Sequence, residues 1–169
     1  MKRNYILAFL AFTGFAFAQS TDPAPYCTAG FDNGVFDVDN AVRLVSVGSL
    51  SNETAGRYAY PHYVFYNNLP VAPLEKGMTH ELTLKFDVYG GAGYGVWIDF
   101  NHDGIFTSLE RVAGTTSDSL PFGVNITETQ TITIPANALV GETRMRVRIA
   151  EDDNFSQGTK FQYSSLQRK

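Results

Sequence analysis

Residues 90–110 read Gly90-Gly-Ala-Gly-Tyr-Gly-Val-Trp-Ile98 and then Asp99-Phe-Asn-His-Asp-Gly-Ile-Phe-Thr-Ser-Leu-Glu110. The second part has the spacing of a calcium loop, D-x-[DN]-x-[DN]-G-x5-E, at each specified position. In a helix–loop–helix calcium motif a helix would precede this loop, but the closely spaced glycines on both sides of Tyr94 disfavour one. The apolar run from Tyr94 to Ile98 is instead typical of a short buried strand. We therefore expect a calcium-type loop at the end of a β-strand.

The oxygen-bearing side chains of this loop predict how it would hold the ion. Ca²⁺ takes about six to eight oxygen ligands, so a tight loop must direct several oxygens at one point. Gly104 permits the sharp reversal, whereas the side chains of Phe100 and His102 fall between ligands and should point away. The predicted metal ligands are the side chains of Asp99, Asn101, Asp103, Thr107 (directly or through water) and Glu110, with the carbonyl of Ile105. In the alternative interpretation, these Asp and Asn residues only form a turn between two strands.

Strand signals dominate the rest of the chain. The predicted strands are Ala41–Val47, Tyr58–Tyr66 (at an edge or bulge because of Pro61), His80–Tyr89, Gln130–Pro135 and Arg144–Ile149. In His80–Tyr89 the inward face would carry Leu82, Leu84, Phe86 and Val88, and in Arg144–Ile149 it would carry Met145, Val147 and Ile149. The three arginines of the last run should face solvent and nearby carboxylates. Turn clusters such as Ser51-Asn52 separate the strands, so we expect an all-β antiparallel sandwich of jelly-roll or immunoglobulin-like type.

The N-terminus has the three parts of a secretory signal peptide. Lys2 and Arg3 supply the charge, Ile6–Phe17 is apolar, and the small residues around Ala18 predict cleavage before Gln19. The apolar run is shorter than the roughly 20 residues that span a bilayer, so a transmembrane anchor is disfavoured. We expect a protein that is secreted or held at the cell surface by other means.

Size and charge limit the classes of partner. Removal of residues 1–18 leaves a lead and loop at 19–40 and a single sandwich domain at 41–169, about the size that supports one core. The formal net charge of −4 disfavours nucleic acid and suits a cation or a neutral polymer. Cys27 is the only cysteine, so an internal disulfide is impossible; Cys27 is free, pairs with another chain, or lacks a former partner.

Several segments together resemble the GEVED domain, a secreted β-sandwich module common in Bacteroidetes. The resembling segments are Tyr26-Cys27, Val45–Thr54 with Gly56, Leu74–Leu84, Val96–Gly104 with Glu110, and Ile134–Val147. The most specific of them are Trp97-Ile-Asp-Phe-Asn-His-Asp-Gly104 and Thr143-Arg-Met-Arg-Val147. The resemblance implies an extracellular accessory module of the kind that accompanies exported proteases or adhesins.

The chain departs from the family pattern at its end. The Gly-Glu-Val-Glu-Asp segment that gives the family its name is absent, as is the cysteine that often precedes it. The resemblance therefore implies a sandwich without its last strand, either a truncated or frameshifted product or a natural short form. An unpaired edge would favour pairing with a strand of another chain.

The sequence is compatible with three functions. The first is a secreted, non-catalytic module that is stabilised by calcium and binds an extracellular polysaccharide or protein. The second is a secreted hydrolase, a glycosidase or a protease. Glycoside hydrolysis needs two carboxylates placed across a cleft, and no pattern in this sequence pairs them. Nucleophilic catalysis by a Cys–His pair would depend on Cys27, which lies in a Pro-rich lead. No catalytic residue is predicted. The third is a structural cell-surface spacer.

Overall fold

The computed structural model describes residues 25–26, 40–54, 64–89, 91–115 and 119–150. The predicted signal peptide, Cys27 and most of the predicted strand Tyr58–Tyr66 lie outside these ranges. The strands are β1 Ala41–Val47, β2 Leu50–Glu53, β3 Thr79–Val88, β4 Gly93–Ile98, β5 Arg111–Gly114, β6 Gly123–Thr133 and β7 Met145–Ala150, and a short 3₁₀ helix covers Ser108–Glu110.

The strands form two antiparallel sheets. One has the order β2-β1-β3-β6 and the other the order β5-β4-β7. No α-helix occurs in the described ranges, so the predicted all-β sandwich is confirmed. The described residues contain no helix that is long and apolar enough to cross a membrane.

The core lies between β3 and β4 because each strand turns a row of apolar side chains toward the other sheet. The four predicted inward residues of β3 are fully buried at 0% exposure, namely Leu82, Leu84, Phe86 and Val88. The facing residues of β4 are Tyr94, Val96 and Ile98. The rings of Phe86 and Tyr94 join the sheets at a centroid distance of 5.0 Å.

The glycine-rich approach to the loop has a packing role in β4. Gly95 and Trp97 lie on the face of the strand opposite to the core row, and the Trp97 ring folds back over Gly95. A Cβ atom on Gly95 would come within 2.7 Å of the Trp97 ring atom Cζ3. Glycine at this position therefore leaves room for a large ring that is only 2% exposed.

One local prediction is wrong, and another has the wrong bounds. The predicted turn at Ser51-Asn52 belongs to β2, and the chain reverses at Gly48-Ser49 instead, where Val47 pairs with Leu50. Gly48 has φ +57°, which the tight two-residue hairpin requires. The predicted strand Gln130–Pro135 begins earlier, at Gly123, and ends at Thr133. β6 is an edge strand of its sheet, and its first half contains no buried residue, so that half lacks a strong apolar alternation.

The outward face of β7 also differs from the prediction. Met145, Val147 and Ile149 pack against the core as expected. Arg146 does not face solvent: it is 8% exposed, and its guanidinium lies 4.4 Å from the centroid of the Phe106 ring. The prediction failed because an aromatic residue of the neighbouring loop covers this part of the sheet.

We expect Phe86→Ala to lower the free energy of unfolding by about 3–5 kcal/mol, since it removes a fully buried ring and its contact with Tyr94. Leu109→Ala is the control, because Leu109 is 91% exposed and should change stability by less than about 0.5 kcal/mol. Urea unfolding followed by circular dichroism measures both. Similar midpoints for the two variants would contradict the assigned core.

Candidate calcium-type loop

The predicted loop directly follows β4, the central strand of the second sheet, and leads through the 3₁₀ helix Ser108–Glu110 into β5. It is thus placed at the end of a β-strand, as the glycine-rich approach indicated. Its backbone reverses at two left-handed residues, His102 with φ 56° and Gly104 with φ 80°. The His102 side chain is exposed, and Phe100 packs against the core.

Asp99, the first predicted ligand, is completely buried at 0% exposure. Its Oδ2 accepts hydrogen bonds from the Gly104 amide at 3.0 Å and from the Tyr26 hydroxyl at 2.6 Å. Its Oδ1 accepts a longer bond from the Asp103 amide at 3.3 Å. The carboxylate therefore fixes the loop to itself and to a residue 73 positions earlier in the chain.

The backbone of Asp99 ties the loop to the segment that enters β7. Its amide donates to the Arg144 carbonyl at 3.2 Å, and its carbonyl accepts from the Thr143 hydroxyl at 2.6 Å. Nearby, the Leu139 amide donates to the Phe100 carbonyl at 2.9 Å. The loop and the approach to β7 consequently form one hydrogen-bonded end of the sandwich.

Asn101 and Asp103 are exposed and form the outer part of the loop. The Asn101 Oδ1 accepts from the Asp103 amide at 3.0 Å, and the Asp103 Oδ1 accepts from the Ile105 amide at 2.8 Å. The Asn101 amide group also donates to the Asp103 Oδ2 at 2.8 Å. Such side-chain to backbone bonds two residues apart are typical of Asx turns, so the turn interpretation explains part of the pattern.

Glu110, the last predicted ligand, is 5% exposed and closes the loop from the other side. Its Oε1 accepts from the Phe100 amide at 3.0 Å. Its Oε2 accepts from the amide and the hydroxyl of Thr107 at 2.9 and 3.0 Å. Thr107 and Glu110 form a capping box that starts the 3₁₀ helix.

The donor set of the loop fits a hard cation in its chemistry. The predicted ligands offer carboxylate, amide, hydroxyl and carbonyl oxygens, the atoms that Ca²⁺ prefers. Asp99 and Glu110 are buried carboxylates, and the hydrogen bonds described for them come from neutral N–H and O–H donors. Within the described ranges no group of three or more His, Cys, Asp or Glu side chains is close enough to hold a metal, so a site here needs the other oxygen types as well.

A layer of rings and guanidinium groups covers the buried end of the loop. The Tyr26 ring lies 5.0 Å from the Phe106 ring and 4.6 Å from the Arg144 guanidinium. Arg144 in turn lies 3.9 Å from the Phe65 ring centroid. Burial raises the pKa of the Tyr26 hydroxyl, and the hydrogen bond to Asp99 raises it further. The hydroxyl therefore keeps its proton at neutral pH and acts as the donor.

Sequence reasoning missed Tyr26, Thr143 and Arg144 as parts of this site. Each is far from Asp99 along the chain, so no local spacing joins it to the loop. Arg144 was assigned to a solvated sheet face, and Tyr26 entered only as part of a family resemblance. A buried aspartate needs donors, but the sequence does not say which distant residues supply them.

A cleft of about 1080 Å³ opens on the side of the sandwich where β1 and β7 approach each other. Its walls include Val42 and Val45 of β1, Val147 and Ile149 of β7, and the segment 64–74. The same apolar residues of β1 and β7 pack against the core. Among the described residues the cleft has mainly apolar walls with charged side chains from the segment that enters β7, and it reaches the calcium-type loop through Phe100 and Phe106.

The fold and the loop together define a β-sandwich domain with a calcium-type loop at one end. A family model, the GEVED domain, matches residues 93–166. The chain is thus similar to GEVED domains from β4 through β7 and beyond, as the resemblance predicted, and this family is of a non-catalytic kind. The resembling segments before residue 93 lie outside the matched range. No curated protein and no solved structure matches the chain.

We expect Glu110→Gln to lower the free energy of unfolding by about 1–3 kcal/mol, because an amide NH₂ would replace one of two buried acceptor oxygens that face N–H and O–H donors. Glu81→Gln, on an exposed position of β3, is the matched control and should be nearly neutral. Thermal unfolding in the presence of a chelator measures both without any contribution from metal. Equal midpoints would show that the Glu110 hydrogen bonds do not hold the loop.

Proposed function

We propose that this protein is an exported, non-catalytic accessory module. Ca²⁺ bound in the loop 99–110 would stabilise its fold, and its partner would be an extracellular polysaccharide or protein. One observation carries the metal part. Two buried carboxylates, Asp99 and Glu110, belong to the same twelve-residue loop, and their described partners are neutral donors. Buried charge is normally paired or bound to metal, so a dication would compensate this loop.

The proposed ligands are the oxygens that the spacing predicts: the side chains of Asp99, Asn101, Asp103, Thr107 and Glu110 and the carbonyl of Ile105. Asp99 and Glu110 already accept hydrogen bonds from the loop backbone. An ion would therefore join a loop that is already folded, and its binding would compete with some of these bonds. This favours the weak affinity of extracellular modules, with Kd about 0.1–1 mM.

The binding role is supported by exposed apolar side chains at the loop end of the sandwich. Ile105 is 51% exposed, Leu139 56% and Val140 83%, and the backbone bond between Leu139 and Phe100 holds the two loops together. Leu139 and Val140 are neighbours in the chain, and adjoining exposed apolar side chains favour an interaction site. A glycan and peptide array with the mature chain would identify the class of partner; no binding to either array would favour a structural spacer, and cleavage of an arrayed substrate would favour a hydrolase.

The export part of the proposal has a direct test. The mature protein should begin at Gln19, since the predicted cleavage follows Ala18. N-terminal sequencing of protein recovered outside the cell of a secreting host measures this. Recovery of the chain only inside the cell, with Met1 retained, would contradict export.

The proposal that Ca²⁺ binds the loop 99–110 predicts a melting temperature that rises with the Ca²⁺ concentration. With Kd about 0.1 mM and about 1 mM Ca²⁺, linkage adds about 1.4 kcal/mol, or roughly 3–6 °C for a domain of this size. Asp103→Ala should abolish the rise because it removes a proposed ligand. Asp103 is exposed, so the variant should still fold. Differential scanning calorimetry with Ca²⁺, with Mg²⁺ and with chelator measures the effect.

Glu81→Ala is the control for Asp103→Ala, since it removes an exposed carboxylate from β3 and should keep the full calcium response. A wild-type protein that melts at the same temperature in Ca²⁺ and in chelator would sink the calcium assignment. So would an Asp103→Ala protein with an undiminished response. In either case the loop would be a hydrogen-bonded turn, as the alternative interpretation holds.

A further inference from the structure

The residue that joins the N-terminal lead to the loop is Tyr26. Its hydroxyl donates to the Asp99 Oδ2 at 2.6 Å, a length typical of a strong hydrogen bond to a charged oxygen. The acceptor is completely buried, and the only other donor described for the same oxygen is the Gly104 amide at 3.0 Å. Tyr26 therefore supplies the shortest of the described hydrogen bonds to this carboxylate.

The Tyr26 ring is held independently of its hydroxyl. It packs against Phe106 at 5.0 Å on one side and lies 4.6 Å from the Arg144 guanidinium. Arg144 belongs to the segment whose carbonyl accepts the Asp99 amide. Pro25, which precedes Tyr26 in the chain, lies at the loop as well. Its Cγ atom is 3.9 Å from the position that a Cβ atom on Gly104 would take. The hydroxyl consequently reaches Asp99 from a side chain with little freedom to turn away.

We propose that Tyr26 is a positioning residue for the cation site, which fixes the Asp99 carboxylate in its orientation without itself binding the ion. This inference rests on the proposed calcium function and extends it to a residue outside the loop. Metal-ligating carboxylates are commonly held by hydrogen bonds from neighbouring groups, and loss of such a partner typically weakens metal affinity about 10–100-fold. Tyr26 of the N-terminal lead is then part of the calcium site.

Tyr26→Phe tests the proposal because it removes the hydroxyl and keeps the ring between Phe106 and Arg144. Tyr89→Phe is the matched control, because Tyr89 is 45% exposed. Tyr89 lies between β3 and the start of β4, whereas the loop follows the other end of β4. Isothermal titration of mature, chelator-treated protein with CaCl₂ gives the Kd of each. We expect Tyr26→Phe to bind Ca²⁺ at least about 10-fold more weakly than wild type and Tyr89→Phe to bind within about 2-fold of it.

Thermal unfolding in chelator separates positioning from a merely structural role. Loss of a hydrogen bond to a charged group should lower the melting temperature of Tyr26→Phe by roughly 3–12 °C. The titrations are therefore made at a temperature where circular dichroism shows all three proteins to be folded. A lower melting temperature with unchanged Kd would mean that Tyr26 only stabilises the fold, and the proposal would be wrong. An unchanged Kd and an unchanged melting temperature would overturn it as well.

The outcomes also distinguish this inference from the function on which it rests. A wild-type protein that gives no heat and no melting shift with Ca²⁺ removes the calcium function, and the inference with it. A wild-type protein that binds while Tyr26→Phe binds equally well removes the inference alone. In an Asp99→Asn background, Tyr26→Phe should change the melting temperature by less than half of its effect in wild type, since the pair acts through one hydrogen bond.

Discussion

The buried carboxylate of Asp99 is the constraint around which one end of this sandwich is organised. Burying a charged group is costly unless donors surround it, and here the donors come from separate parts of the chain. Gly104 and Asp103 belong to the loop, and Tyr26 belongs to the N-terminal lead. The backbone of Asp99 also forms hydrogen bonds with the segment before β7. The side chain and main chain of one residue thus fix three segments.

The same end of the molecule explains why two arginines at the start of β7 are covered, Arg144 just before the strand and Arg146 within it. Arg144 and Arg146 carry planar guanidinium groups that stack on aromatic faces. Phe65 and Tyr26 lie at 3.9 and 4.6 Å from Arg144, and Phe106 lies at 4.4 Å from Arg146. Phe106 is itself a loop residue, between the predicted ligands Ile105 and Thr107. The loop therefore contributes apolar cover to the sheet in addition to oxygen atoms, which joins loop conformation to sheet packing.

Sequence reasoning succeeded where a signal is local and repeated. The alternation in β3 predicted its four buried residues, and the apolar run Tyr94–Ile98 predicted β4, because burial of one face imposes a period of two. It failed at Ser51-Asn52 because polar residues also occupy exposed positions of a short edge strand. It failed at Arg146 because the cover comes from a distant ring. The candidate ligands of the loop were predicted from their spacing. The distant residues that form hydrogen bonds with them, Tyr26 above all, were not predicted, because a contact across 73 residues has no characteristic sequence spacing.

The magnitudes suggest what kind of role calcium can have here. Removing one core ring such as Phe86 should cost about 3–5 kcal/mol, whereas an ion bound at about 0.1 mM adds only about 1.4 kcal/mol at about 1 mM Ca²⁺. The loop also has hydrogen bonds that hold Asp99 and Glu110 without an ion. A domain built in this way should fold before it meets calcium and gain stiffness afterwards. That order suits a protein predicted to be exported, because Ca²⁺ becomes plentiful only outside the cell.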